Sequence, residues 1–121
     1  MSKRILTVDD SGSIRQMVGF VLKEAGYDVV SAVDGQDAVE KMKESPVEMM
    51  ITDLNMPNMD GIELIRWTRA NPDHKFIPVI MLTTESQMDK KQLGKEAGAT
   101  GWIVKPFNPD QLLSVVRRVM K

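Results

Sequence analysis

Short apolar runs alternate with amphipathic segments five times along the chain. The runs lie at residues 5–8, 29–32, 49–52, 79–82 and 102–104. The third and fourth runs are almost continuously apolar, which is typical of parallel strands that helices cover on both faces. The alternation therefore predicts five strands, each followed by a helix.

The segment after the first run carries an apolar stripe at helical spacing. Its members are Ile14, Met17, Val18, Val21, Leu22 and Ala25. Ser13 and Gln16 have the spacing of a capping box, and Gly26 fits the end of the helix. These residues predict the first helix between Ser13 and Gly26.

Capping residues also predict where three of the other helices begin. The second helix starts near Asp34, and the third starts at Asp60, with Glu63 at the capping-box position. The last helix starts at Asn108, with Pro109 in its first turn. For this helix the apolar stripe predicts burial of Leu112, Leu113, Val116, Val119 and Met120.

The fourth helix, predicted at residues 88–97, is thin in apolar residues. Met88, Leu93 and Ala97 are its main candidates for burial. We expect it to be the least firmly held element. Together the five β–α units predict a doubly wound α/β fold with a five-stranded parallel sheet and five helices, as one domain over residues 1–121.

The composition excludes several classes of protein. The chain has 121 residues, no cysteine and a formal net charge of −1. The absence of cysteine therefore excludes disulfide scaffolds, thiolate metal sites and cysteine nucleophiles. The net charge gives no excess of positive charge that would favour binding to nucleic acid. The charged N-terminus is unlike a signal peptide, and no apolar run approaches the ~20 residues of a membrane span. We expect a soluble, cytoplasmic protein.

The residues that follow four of the predicted strands lie at the sheet edge where such folds bind ligands. They are Asp9 and Asp10 after the first strand, Asp53, Leu54 and Asn55 after the third, Thr83 and Thr84 after the fourth, and Lys105 and Pro106 after the fifth. Taken singly, the aspartates and threonines are ordinary caps or turn residues, and Lys105 is an ordinary surface residue. Their coincidence at one edge indicates a site.

Three carboxylates at one edge repel one another unless a cation neutralises them. Oxygen ligands in an incomplete cage suit Mg²⁺, with Mn²⁺ as an alternative. Lys105 adds a fixed positive charge, and Thr83 offers a hydroxyl to an anion. This set of groups suits phosphoryl transfer, in which a carboxylate such as Asp53 can be the nucleophile and form an aspartyl-phosphate.

Five motifs, spread over essentially the whole chain, match the pattern of one protein family. They are V-D-D at residues 8–10, D-L-N-M-P at 53–57, M-D-G at 59–61, L-T-T at 82–84 and G-W-I-V-K-P-F at 101–107. The chain resembles the receiver domains of two-component response regulators. The stretch 77–109 and the stand-alone length look most like chemotaxis regulators of the CheY type. The resemblance implies a flavodoxin-like sheet of order 2-1-3-4-5 and no output domain.

The resemblance also implies a role for each residue of the site. Asp53 would be the phosphoacceptor, and Asp10, Asp53 and the carbonyl of Asn55 would hold Mg²⁺, with Asp9 acting through a coordinated water. Thr83 would bond the phosphoryl oxygen, and Lys105 would pair with the phosphoryl group. The Lys105–Pro106 bond would be cis, and Asn55 and Glu85 would tune the lifetime of the phosphoryl group.

The chain departs from the family pattern at Trp102, where CheY-like receivers carry Tyr. An indole is larger and has an N–H but no O–H. It either moves inward as the family's aromatic residue does or packs against the fourth helix. With Lys90, Lys91 and Lys95 it forms the surface that we expect to change on phosphorylation, suited to an acidic-apolar peptide or a kinase docking domain.

The partners that the resemblance implies are a histidine kinase of the CheA type and, downstream, a flagellar motor switch protein or a phosphatase. We expect a monomer that binds neither nucleic acid nor membrane and is a phosphoacceptor rather than an enzyme. A phosphorelay shuttle is the alternative among receivers. His74, in a polar loop, is predicted to be solvated.

Two other classes fit the same fold. A phosphohydrolase with an aspartate nucleophile needs a second acid, usually two residues later, and Asn55 occupies that position. A flavin or nucleotide binder needs a Gly-rich or Ser/Thr-rich phosphate loop after the first strand. Asp9 and Asp10 place carboxylates where the phosphate would lie, which argues against that class.

Overall fold

Five parallel strands form one sheet in the order β2-β1-β3-β4-β5 in a computed structural model of the chain. The strands are β1 Arg4–Val8, β2 Asp28–Ala32, β3 Met49–Asp53, β4 Val79–Thr84 and β5 Gly101–Lys105. The structure describes residues 3–120, with Glu85 and Met88 described in their backbone only. Each of the five apolar runs lies within a strand, and the predicted strand order is confirmed.

The helices are α1 Gly12–Glu24, α2 Gly35–Glu44, α3 Gly61–Ala70, α4 Lys91–Ala97 and α5 Pro109–Val119, with a 3₁₀ helix at Glu85–Lys90. One apolar cluster joins α1 and α5 to one face of the sheet, and a second joins α2, α3 and α4 to the other. All five residues of β3 are buried, as its continuous apolar run predicts. The doubly wound architecture is confirmed. No helix in the stretch 3–120 is long and apolar enough to cross a membrane.

The predicted caps hold for three helices and fail for one. The side chains of Asp34, Asp60 and Asn108 each accept a backbone N–H in the first turn of their helix. The capping box predicted at Ser13 is wrong. The cap is Ser11, whose Oγ accepts the N–H of Ile14 at 3.4 Å, so α1 begins two residues earlier.

The fourth helical segment differs most from its prediction. It begins as the 3₁₀ helix and becomes α-helical only at Lys91, and Leu93 is 46% exposed rather than buried. The side chain of Met88 lies outside what the structure describes. Gly94 explains why Leu93 faces outward, because a Cβ at this position would lie 2.0 Å from Sδ of Met81. The helix therefore approaches β4 through the glycine and through Ala97, which is buried as predicted.

His74 is buried, and the prediction that it is solvated is wrong. Its Nε2 accepts the N–H of Val47 at 3.3 Å, and its Nδ1 lies 3.2 Å from Oδ1 of Asn71. Because that oxygen can only accept, Nδ1 carries the proton of a neutral ring. Burial lowers the pKa of His74. In α5, Leu112 and Val116 are buried, while Leu113, Val119 and Met120 are only partly covered.

Candidate functional site

An acidic cluster lies at the carboxyl edge of the sheet. Asp9 and Asp10 follow β1 and Asp53 closes β3, and carboxylate oxygens of all three lie within 4.8 Å of one another. Asp9 and Asp53 are buried and Asp10 is exposed, so the cluster opens to solvent on one side. β1 and β3 are neighbours in the sheet, and this pairing brings residues more than forty positions apart to one place.

Lys105 bridges two of the three carboxylates. Its Nζ lies 3.3 Å from Oδ2 of Asp9 and 3.3 Å from Oδ1 of Asp53. The lysine ends β5, two strands away from β3, and its side chain crosses the end of β4 to reach the cluster. The Lys105–Pro106 peptide bond is cis. The ammonium thus lies between two of the acids rather than in solvent.

Burial and the neighbouring carboxylate raise the pKa of Asp53. Lys105 and the N–H of Leu54, which donates to Oδ1 at 2.9 Å, oppose this rise. Both donors contact the same oxygen, Oδ1, which leaves Oδ2 as the candidate nucleophile. A carboxylate that is desolvated and only partly neutralised attracts a further cation.

Contacts around the cluster hold Asp9 and Asp53 in place. Oδ1 of Asp9 accepts the N–H of Ser11 at 2.9 Å, and its carbonyl accepts from Nη1 of Arg15 at 2.6 Å. Gly61, the last residue of the M-D-G motif, begins α3 against the backbone of Asp53. A Cβ on Gly61 would lie 2.2 Å from the carbonyl oxygen of Asp53. The motif therefore needs glycine for close approach of α3 to the site.

Thr83 is fully buried near the end of β4, one residue beyond Leu82, which pairs with Asp53 in the sheet. Its place at the edge beside the acidic cluster is the one that the sequence predicts. Thr84 pairs with Lys105 on the next strand. Its N–H donates to Oε1 of Gln87 at 3.0 Å, so the side chain of Gln87 ties the 3₁₀ helix to the end of β4.

The remaining predicted residues separate into two groups. Nζ of Lys91 and Lys95 lie 3.7 and 5.4 Å from the ring centroid of Trp102, and we call these three residues the α4–β5 patch. Lys90 belongs elsewhere, because its Nζ donates to Oδ1 of Asn55 at 3.2 Å, beside the acidic cluster. Sequence reasoning missed this contact and that of Arg15. The side chain of Glu85 lies outside what the structure describes.

Comparison with known proteins identifies the family. A model of the response regulator receiver domain matches residues 5–117. The chain belongs to this family. The chemotaxis response regulator CheY4 of Vibrio cholerae is 49% identical in sequence, and the two structures superpose with a TM-score of 0.93 over 98% of this chain and 99% of that one.

Two further relatives show how widely the receiver domain occurs. The phosphate regulon transcriptional regulatory protein PhoB of Escherichia coli is 36% identical over 121 residues, which are all of this chain and 53% of PhoB. This receiver chain spans about half the length of the curated relatives it matches. The receiver domain of the sensor histidine kinase PA1611 of Pseudomonas aeruginosa PAO1 is 25% identical, with a TM-score of 0.90 over 99% of this chain and 98% of that one. That structure has a magnesium ion coordinated in the active site cleft.

Proposed function

We propose that the chain is a phosphorylation-controlled signalling protein in which Asp53 accepts the phosphoryl group. Oδ2 of Asp53 attacks the phosphorus of a phosphohistidine or an acyl phosphate. The bond from phosphorus to the donor breaks, and an aspartyl-phosphate forms. The observation that carries the proposal is the buried Asp53, held between Asp9 and Lys105 with Nζ 3.3 Å from both carboxylates.

The residues present fit a hard divalent cation. Three carboxylates within 4.8 Å offer oxygen ligands, and one side of the cluster is open. We propose that Asp10, Asp53 and the carbonyl of Asn55 hold Mg²⁺ or Mn²⁺, with Asp9 acting through a water. Bound there, the ion would neutralise charge on the phosphoryl oxygens. The magnesium ion in the PA1611 receiver domain supports the choice of metal.

Lys105 and Thr83 would recognise the phosphoryl group once it is attached. Its charge of roughly −1.5 to −2 would compete with Asp9 and Asp53 for the ammonium of Lys105. The hydroxyl of Thr83 would donate to a phosphoryl oxygen, and the end of β4 would follow. The attached phosphoryl group would favour one of two existing conformations of the chain. The α4–β5 patch is the surface whose conformation would differ between the two.

The α4–β5 patch suits a partner with acidic and apolar groups. Two ammonium groups lie against the face of Trp102, which is half-buried. We propose a CheA-like histidine kinase as phosphodonor, and a flagellar motor switch protein or a phosphatase downstream, in the cytoplasm. The likeness to CheY4 favours chemotaxis over the transcriptional role of PhoB, since the identity to CheY4 is higher. A phosphorelay shuttle is the second candidate.

The intact mass of the chain tests the phosphoryl transfer. Incubation with acetyl phosphate and Mg²⁺ should add one phosphoryl group to the wild type and to Asp73→Asn, a control at the opposite edge of the sheet. Asp53→Asn, or removal of Mg²⁺ by chelation, should abolish the gain. An equal gain in the wild type and Asp53→Asn would refute the assignment. Turnover of phosphate monoesters that depends on Asp53 would indicate a phosphohydrolase instead.

A further inference from the structure

A lysine beside the acidic cluster contacts the residue that lies two positions after Asp53. Nζ of Lys90 donates to Oδ1 of Asn55 at 3.2 Å, across 35 positions of sequence. Lys90 is the last residue of the 3₁₀ helix, and Asn55 lies in the loop between β3 and α3. The contact joins the segment that follows β4 to the open side of the site.

The chemistry of the two groups fixes the orientation of the Asn55 amide. An ammonium group has three donors and no acceptor, so the atom of Asn55 that faces it is the oxygen. Oδ1 is the only acceptor on this side chain, and Nδ2 has only donors to offer.

Lys90 lies at the junction of the 3₁₀ helix and α4. Its backbone has the angles of a right-handed helix, with φ −83° and ψ −10°, and its side chain makes no capping hydrogen bond. The ammonium group instead reaches across to Asn55.

We propose that Lys90 is a positioning residue that prolongs the phosphorylated state by occupying Oδ1 of Asn55. The inference rests on the proposed phosphorylation of Asp53. Hydrolysis returns the site to its starting state: a water oxygen bonds to phosphorus, the bond to Oδ2 of Asp53 breaks, and the proton leaves with inorganic phosphate. An acceptor beside the phosphorus would hold that water in line, and the ammonium of Lys90 competes with the water for the acceptor that Asn55 carries.

The rate of phosphoryl loss tests the role of Lys90. The chain is phosphorylated with acetyl phosphate, the donor is removed, and intact mass is followed over time. Lys90→Met should lose the group about 3- to 10-fold faster, the equivalent of one net hydrogen bond. Lys90→Arg, which can still donate, should behave as the wild type. Lys43→Met, which removes the same charge from the exposed face of α2, should also be unchanged.

A double-mutant cycle separates positioning from charge. In an Asn55→Ala background, Lys90→Met should have no further effect, because the acceptor is already gone. An equal acceleration in both backgrounds would mean that charge alone acts, and it would overturn the proposal. An unchanged rate in Lys90→Met, with ordinary phosphoryl gain, would overturn this proposal alone. Failure of the wild type to gain the group would overturn the proposed function as well.

Nuclear magnetic resonance of the unphosphorylated, metal-free chain tests the contact itself. The side-chain amide cross-peaks of Asn55 should shift in Lys90→Met and keep their positions in Lys43→Met. Equal positions in the wild type and Lys90→Met would show that the contact is not made in solution, which overturns the proposal whatever the rates.

Discussion

Gly94→Ala should destabilise the protein, although alanine is the better helix former. Gly94 lies in the middle of α4, where glycine is unfavourable by about 1 kcal/mol relative to alanine. A Cβ at this position would lie 2.0 Å from Sδ and 2.5 Å from Cε of Met81, whereas ordinary contacts begin at 3.4 Å. Met81 is fully buried in β4, so its side chain has little room to move away.

The size of the effect follows from two opposing contributions. Overpacking a closed core by one methyl group costs about 1–3 kcal/mol, and the gain in helix propensity offsets about 1 kcal/mol of it. We therefore expect a net loss of up to about 2 kcal/mol in the free energy of unfolding. For a domain of this size a loss of about 2 kcal/mol lowers the Tm by roughly 8 °C.

Gly19→Ala provides the matched control in α1. Its Cβ would lie 3.8 Å from Cγ1 of Val29, an ordinary contact, so this variant should gain about 0.5–1 kcal/mol. Urea unfolding at neutral pH measures both variants. In a Met81→Ala background, which removes the clashing atoms, Gly94→Ala should no longer destabilise. A gain in stability for Gly94→Ala in the wild-type background would refute the reasoning.

Three further predictions concern groups whose surroundings are unusual. The folded pKa of Asp53 is raised, so its contribution to stability is present in acid and is lost as pH rises through that pKa. Without metal, the urea midpoint of unfolding should therefore be higher for Asp53→Asn than for the wild type at neutral pH. The difference between the two midpoints should shrink towards pH ~4. Equal midpoints at neutral pH would contradict this prediction. The folded pKa of His74 is lowered by burial, so the unfolded chain takes up a proton first as pH falls below ~6.5, and stability falls. His74→Gln should show a flatter dependence over this range, and parallel curves would count against the buried neutral ring. Arg69 donates to the carbonyls of Lys75, Ile77 and Gly98, so Arg69→Met should lower the free energy of unfolding by roughly 1.5–3 kcal/mol, and a change below about 0.5 kcal/mol would show that water replaces the contacts.

The acidic site could be predicted from the sequence because the fold brings strand ends together. Continuous apolar runs such as β3 indicate buried parallel strands, and the carboxyl ends of such strands share one edge. Asp9, Asp53 and Lys105 each lie at the carboxyl end of a strand. The order of the strands in the sheet therefore brings these three residues close together, whatever the packing of individual side chains. The caps at Asp34, Asp60 and Asn108 were predictable for a similar reason, since each contact spans only a few residues.

The features that sequence reasoning missed depend on contacts between distant segments. His74 is buried because Val47, 27 positions away, donates to it, and a polar local sequence gives no indication of this partner. The exposure of Leu93 follows from the approach of Gly94 to Met81 on another element. The contact of Lys90 with Asn55 likewise joins a 3₁₀ helix to a loop that only the folded sheet brings close to it.

Chemical trapping of the phosphoryl group tests the central claim most directly. Borohydride reduces an acyl phosphate to an alcohol, so an aspartyl-phosphate at residue 53 would become homoserine. After treatment with acetyl phosphate and Mg²⁺, peptide sequencing by mass spectrometry should find homoserine at Asp53, and no conversion when Mg²⁺ is chelated. Homoserine at another acidic residue, or unconverted Asp53 in a chain that has gained the phosphoryl group, would contradict the account.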